Sequence, residues 1–273
     1  MKKIFINILI FICCLPLYGF DEGFIWALKA NFNGSATMPS ISKADLDKMG
    51  ASYMKGAVGY TMDGEAELGY LFGSEKWFNS MSSDKFSGMS FFGSIGVGSG
   101  FAGQVAGNTI DENTVNMFIN VSYTPVISFG VGTKAYFFNS KLALGLHIGG
   151  RMIADLSPEY LAYADVDLSP MADLPEIGEI IVTDFMIKNM NPVMFSVKLM
   201  LEYNQPVVDN RLEVILGAYA RFNVYSPKYI TMPDSLFELM NTVRPDFTME
   251  TPLKSYYINS LDFGLTLGLG FNV

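Results

Sequence analysis

The sequence predicts an all-β, membrane-spanning, antiparallel up-and-down barrel, and three observations carry that prediction. Half of the 273 residues are hydrophobic and only 16% are charged, against about 25% charged in soluble domains. Beyond residue 19, no run of roughly 18 consecutive apolar residues offers a membrane helix. The hydrophobicity is spread instead over segments that alternate apolar with small or polar residues, the period of a strand between lipid and a polar lumen.

The chain opens on a secretory signal, residues 1–19, with Lys2 and Lys3 as its positive start, Ile4 to Leu15 as its apolar stretch and Gly19 before the cut. Residues 20–273 are then one barrel domain, since no proline-, glycine- or serine-rich linker divides them. Cys13 and Cys14 both lie in the signal, so the mature chain is expected to hold no disulfide and no thiolate metal site. The formal charge of −9 becomes −11 without Lys2 and Lys3. That excess of acid argues against nucleic acid as a partner.

The first strand has Phe24, Trp26, Leu28, Ala30 and Phe32 on one face and Lys29, Asn31 and Asn33 on the other. Met54, Val58, Tyr60 and Met62 lead into Asp63-Gly64, read as a two-residue hairpin, and Ala66, Leu68, Tyr70 and Phe72 lead out. Met89 to Phe101 and Val115 to Val121 alternate in the same way, and Thr124-Pro125 is read as a turn before Ile127 to Phe137. Leu142 to Ile148 returns after a turn at Asn139-Ser140, and Val193 to Tyr203 and Leu212 to Phe222 flank a turn at 205–210. The last segment carries Phe263, Leu265, Leu267, Leu269, Phe271 and Val273 on one face, with Gly264, Thr266, Gly268, Gly270 and Asn272 on the other. It is the strand expected to close the barrel on the first.

This count gives ten strands, with eight as the alternative if segments merge, and an even number puts both ends on the periplasmic side. The turns near Asp63, Asn139 and Val207 share that side. The long connections then face outward. Ala154 to Asn191 is an acidic loop, and Ser226 to Ser255 includes a short amphipathic helix around Leu236 to Val243, stopped by Pro245. A second short helix is expected from Ser42 to Gly50.

Signal, alternating strands and the terminal Phe263 to Val273 segment together resemble the small outer-membrane barrels of the OmpW and opacity-protein type. The resemblance covers the mature chain as architecture and transfers no functional residue. It implies a bacterial outer-membrane location, uptake of the last strand by the barrel-assembly machinery, and small hydrophobic molecules as solutes. Val273 stands where such barrels usually end on an aromatic residue, with Phe271 two positions earlier.

The alternation points a set of charges into the lumen: Lys29, Lys55, Glu65, Glu67, Lys134, His147, Arg151, Lys198, Glu202, Arg211, Glu213 and Arg221, with Asp262 beside them. Two readings follow. These groups either line a small porin-like pore, whose basic excess favours anionic solutes, or pair across a plugged lumen in a structural or adhesin-like barrel. No enzyme is expected, because the single His147 lacks a recognisable nucleophile and carboxylate around it. Acidic pairs such as Asp165 and Asp167 lack the spacing of a calcium loop, and Gly96-Val97-Gly98 lacks the strand-to-helix setting of a phosphate loop. No cofactor and no metal is therefore expected. The expected partners are outer-membrane lipid, the assembly machinery, small solutes and an unidentified partner of the extracellular loops.

Overall fold

The computed structural model describes residues 22–40, 43–44, 53–78, 85–110, 113–153, 156–164, 193–208, 211–225, 228–230 and 253–272. The signal, residues 154–155 and 165–191 of the predicted acidic loop and the predicted helix at 236–243 lie outside them. So does the predicted helix at 42–50, except for residues 43–44, which are helical.

The strands are β1 (Gly23–Ser40), β2 (Tyr53–Gly56), β3 (Val58–Gly73), β4 (Phe86–Ile110), β5 (Asn113–Phe137), β6 (Leu142–Ile153), β7 (Leu156–Ala164), β8 (Val193–Val208), β9 (Leu212–Tyr225), β10 (Lys228–Ile230) and β11 (Leu253–Asn272), and the short helix α1 (Ser74–Trp77) follows β3. Antiparallel pairing runs β1–β3–β4–β5–β6–β8–β9–β11 and returns from β11 to β1. The eight-stranded wall is closed, so its backbone polar groups pair within the barrel and no edge meets lipid. β2, β7 and β10 prolong β3, β6 and β9 above the wall, where they pair with β4, β5 and β11. Part of the span predicted as the acidic loop is thus strand.

The preferred count of ten is corrected to eight by two mergers. Asp63-Gly64 is no hairpin: Asp63 pairs with Asn31 on one side and Gly98 on the other, in unbroken register. The outward residues keep even numbers from Val58 to Phe72, whereas a two-residue turn would put positions 62 and 65 on the same face. Thr124-Pro125 also lies within a strand. Register with β4 slips by one residue there, Gly98 facing Val126 and Gly100 facing Tyr123. On the other side β6 ends opposite Val126 and β7 begins opposite Tyr123. Pro125 brings no N–H to a ladder, and it sits where both ladders are interrupted.

Both described ends, α1, the turn at 138–141 and Arg211 share the lower rim, in agreement with the predicted side for Asn139 and Val207. The wall above it is apolar outside. Val131 and Leu265 are each 67% exposed, and Leu68, Ile95, Phe195 and Leu199 stand out in the same way. A face of this kind is solvated by lipid. Aromatic rings bound it below, where Trp26 stacks on Phe271 at 3.9 Å and Phe24 meets Tyr70 edge-on at 5.2 Å. Above, Tyr60 stacks on Phe101 at 5.7 Å. Tyr60 and Tyr70 lie on one strand, and ten residue steps at about 3.3 Å, tilted by about 40°, span roughly 25 Å, the height of a bilayer-spanning apolar band.

Inside, large side chains lie over glycines of neighbouring strands. A Cβ added at Gly268 would sit 2.9 Å from Lys29 Cγ, at Gly217 3.1 Å from Glu202 Cγ, and at Gly130 2.5 Å from His147 Nε2. The glycine-rich inner face of the sequence is therefore the space that the lumen charges fill.

Candidate functional site

The lumen is where charge, burial and geometry converge. Ten of the twelve predicted lumen residues are buried within the barrel: Lys29, Glu65, Glu67, Lys134, His147, Arg151, Lys198, Glu202, Glu213 and Arg221. Asp262 joins them. Lys55 and Arg211 do not. Lys55 is exposed in β2, 4.9 Å from the centre of the Tyr53 ring, and Arg211 is exposed in the lower turn before β9. Both lie beyond the stretch of wall over which alternation sorts inside from outside.

The lower half holds a closed ring of four charges from four strands. Lys29 Nζ donates to Glu67 Oε1 at 2.6 Å and to Glu202 Oε1 at 2.5 Å. Lys134 Nζ lies 2.6 Å from Glu67 Oε2 and 3.0 Å from Glu202 Oε2. Each ammonium holds both carboxylates and each carboxylate holds both ammoniums, with side-chain exposures of only 0–5%. Lys134 also lies 4.7 Å from the Phe92 ring centre. Below the ring, Glu213 lies against Gly270. Between the ring and the lower rim, a cavity of about 20 Å³ is lined by Glu67, Lys134, Tyr136, Glu202, Asn204 and Glu213 among others. That volume holds about one water molecule.

Above the ring, ion pairs strap opposite walls together. Lys198 Nζ donates to Glu65 Oε2 at 2.7 Å, and Arg221 Nη1 to Asp63 Oδ2 at 3.3 Å. Asn31 Nδ2 bonds both Asp63 and Glu65, at 2.7 and 2.8 Å, and accepts from Thr266 at its own Oδ1. Asp262 accepts from Ser35, Ser260 and Asn223, while Arg151 Nη1 stands 3.6 Å away.

The predicted basic excess is overturned by this arrangement. Among the described residues, five buried cations (Lys29, Lys134, Arg151, Lys198, Arg221) face six buried carboxylates (Asp63, Glu65, Glu67, Glu202, Glu213, Asp262). Two cations of the prediction are outside, and Asp63, read as a turn, is inside. Asp63, Glu65 and Glu67 fall at i, i+2 and i+4 of one strand, so they form an acidic stripe on one wall. That spacing is visible in the sequence.

His147 Nε2 lies 2.9 Å from Ser94 Oγ, and its ring stacks on Phe92 at 6.0 Å. Its Nδ1 has no partner among the described residues. At the lower rim Glu22 Oε1 accepts from Lys76 Nζ at 3.0 Å, Trp77 Nε1 at 3.1 Å and Tyr70 OH at 3.5 Å, tying the start of β1 to α1.

No family model matches the chain, and no curated protein matches its sequence. Among solved structures it is similar to the outer membrane protein OprG from Pseudomonas aeruginosa, at 8% identity and a TM-score of 0.31 over 94% of this chain and 100% of that one. It is similar to Neisserial surface protein A, at 9% identity and a TM-score of 0.23, over 90% and 99% of the two chains. A third is Ail, the attachment invasion locus protein of Yersinia pestis, solved with the heparin analogue sucrose octasulfate, at 8% identity and a TM-score of 0.26 over 90% and 99%. Scores this low carry no argument about function, and the barrel assignment rests on the strand pairing itself.

Proposed function

We propose that this chain is an outer-membrane barrel of a diderm bacterium whose lumen is closed by its own side chains, and that it acts as a structural or surface-interaction protein through its upper rim. The four-charge ring carries this reading. A through-pore needs a continuous wet bore, and here Lys29, Glu67, Lys134 and Glu202 cross the lumen in mutual contact with 0–5% side-chain exposure.

The upper rim supports the second half of the proposal. A strand needs about 9–11 residues to cross a bilayer, and β4 and β5 have 25 each. Their upper halves extend past the apolar band, flanked by β2 and β7. The same reading assigns the barrel no reaction, and it takes β11 as the segment the assembly machinery engages.

The deciding experiment is conductance of the refolded mature chain in a planar bilayer, with heat-modifiable gel mobility confirming the fold. The expected result is a folded barrel without unitary steps and without flux of small neutral solutes into loaded vesicles. Stable steps whose size changes in Lys134→Ala would overturn the closed-lumen reading and restore the porin-like one.

A further inference from the structure

We infer that the upper lumen contains an oxyanion site, built on Arg151, for a small carboxylate. Arg151 is 2% exposed, and its Nε and Nη2 have no hydrogen-bond partner among the described residues. Those two atoms form one edge of the guanidinium fork, the edge that takes a carboxylate through two parallel hydrogen bonds. The remaining nitrogen, Nη1, is 3.6 Å from Asp262 Oδ2, beyond hydrogen-bonding distance. Asp262 cannot turn to serve the free edge without giving up Ser35, Ser260 and Asn223, which hold it at 2.7, 3.1 and 2.7 Å.

Two further buried polar side chains without partners lie on the strands beside Asp262. Asn33 is 6% exposed with both amide atoms unpartnered, and Tyr219 is 5% exposed with a free hydroxyl. Both residues flank Gly264, two positions along β11 from Asp262: a Cβ there would meet Tyr219 Cζ at 2.5 Å and Asn33 Cβ at 2.7 Å. The orphaned donor atoms are Arg151 Nε and Nη2, Asn33 Nδ2 and Tyr219 Oη, against Asn33 Oδ1 and Asn223 Oδ1 as acceptors. A buried polar group left unpaired is destabilising. A ligand with acceptors only satisfies this set better than one that must also donate. Lys198 and Arg221 are already matched to Glu65 and Asp63, so an anion at the free edge of Arg151 shares that cation with Asp262, which Ser35, Ser260 and Asn223 hold in place. The site stands whether or not the lower lumen conducts.

The test uses acetate and the whole mature barrel, refolded in lipid nanodiscs. Arginine Nε–H resonances are followed by NMR during titration with sodium acetate, with sodium chloride at matched ionic strength as the reference. One resonance is expected to shift saturably with acetate alone, and the unfolding midpoint to rise over the same concentrations. Arg151→Lys should abolish the rise, and Arg211→Lys, at the exposed turn, should keep it. An Arg151 resonance that ignores acetate while showing cross-peaks to bound water would overturn the site, leaving internal waters as its occupants. If Arg151→Lys fails to fold, the titration of the unsubstituted chain decides alone.

Discussion

Replacing Lys29 with Met tests whether the lumen ring is held by charge balance. The methionine keeps an unbranched stem over Gly268 while removing two contacts, at 2.6 Å to Glu67 and 2.5 Å to Glu202. Lys134 then serves both carboxylates alone, from 2.6 and 3.0 Å. One buried negative charge is left without compensation, and removing one partner of a buried pair costs about 3–5 kcal/mol. The second change, Glu202→Gln, removes that surplus charge and leaves Lys134–Glu67 as an intact pair at 2.6 Å. The double variant should therefore recover about 2 kcal/mol or more of the loss, although it lacks more charges than the single one. The assay is equilibrium urea unfolding in phospholipid vesicles, read by the fluorescence of the chain's two tryptophans. A Lys29→Met variant within about 1 kcal/mol of the parent, or a Glu202→Gln change that adds to the loss, would refute the charge-balance argument.

Three further outcomes are expected. Leu265→Arg, on the exposed apolar wall, should cost about 2–4 kcal/mol in vesicles if that wall meets lipid, and urea unfolding measures it. Gly264→Ala places a methyl 2.5 Å from Tyr219 and 2.7 Å from Asn33, an overpacking loss of about 1–3 kcal/mol read in the same assay. At the lower rim, the Trp77 indole, followed by Lys76, holds the Glu22 carboxyl below its ordinary 4.5. A depressed acid stabilises the clasp above its unfolded value and loses it as pH falls through the folded one. Trp77 fluorescence in a Trp26→Phe background should accordingly change only below the ordinary carboxylate range, and Glu22→Gln should flatten that response.

Much of the wall was legible because its alternation has a period of two and one face must be apolar. From Phe263 to Phe271 the sequence alone separates lipid-facing from lumen-facing residues, and the burial of Asp262, Thr266 and their neighbours agrees. The strand count is harder to read where a local turn signal competes with that period. Asp63-Gly64 has the composition of a tight turn, yet Met62 and Ala66 keep the parity of one continuous strand. Pro125 likewise looks like a terminator until its place between two interrupted ladders is known.

Which charges meet was not legible, and the reason is geometric. Lys29 and Glu202 are separated by 173 positions and lie on strands that do not pair. Their contact depends on the number of strands that close the wall and on the stagger of each, because both set the lumen's width and the height at which each side chain enters it. With ten strands the same residues would line a wider bore, and a basic excess would be a statement about permeation. With eight, the opposing walls come within reach of a lysine and a glutamate, and the charges become the packing. The glycines complete this argument: Gly268, Gly217 and Gly130 yield their volume to Lys29, Glu202 and His147 from adjacent strands. Polar residues and glycines on one face are therefore compatible with a pore or a filled core, and the strand count decides between them.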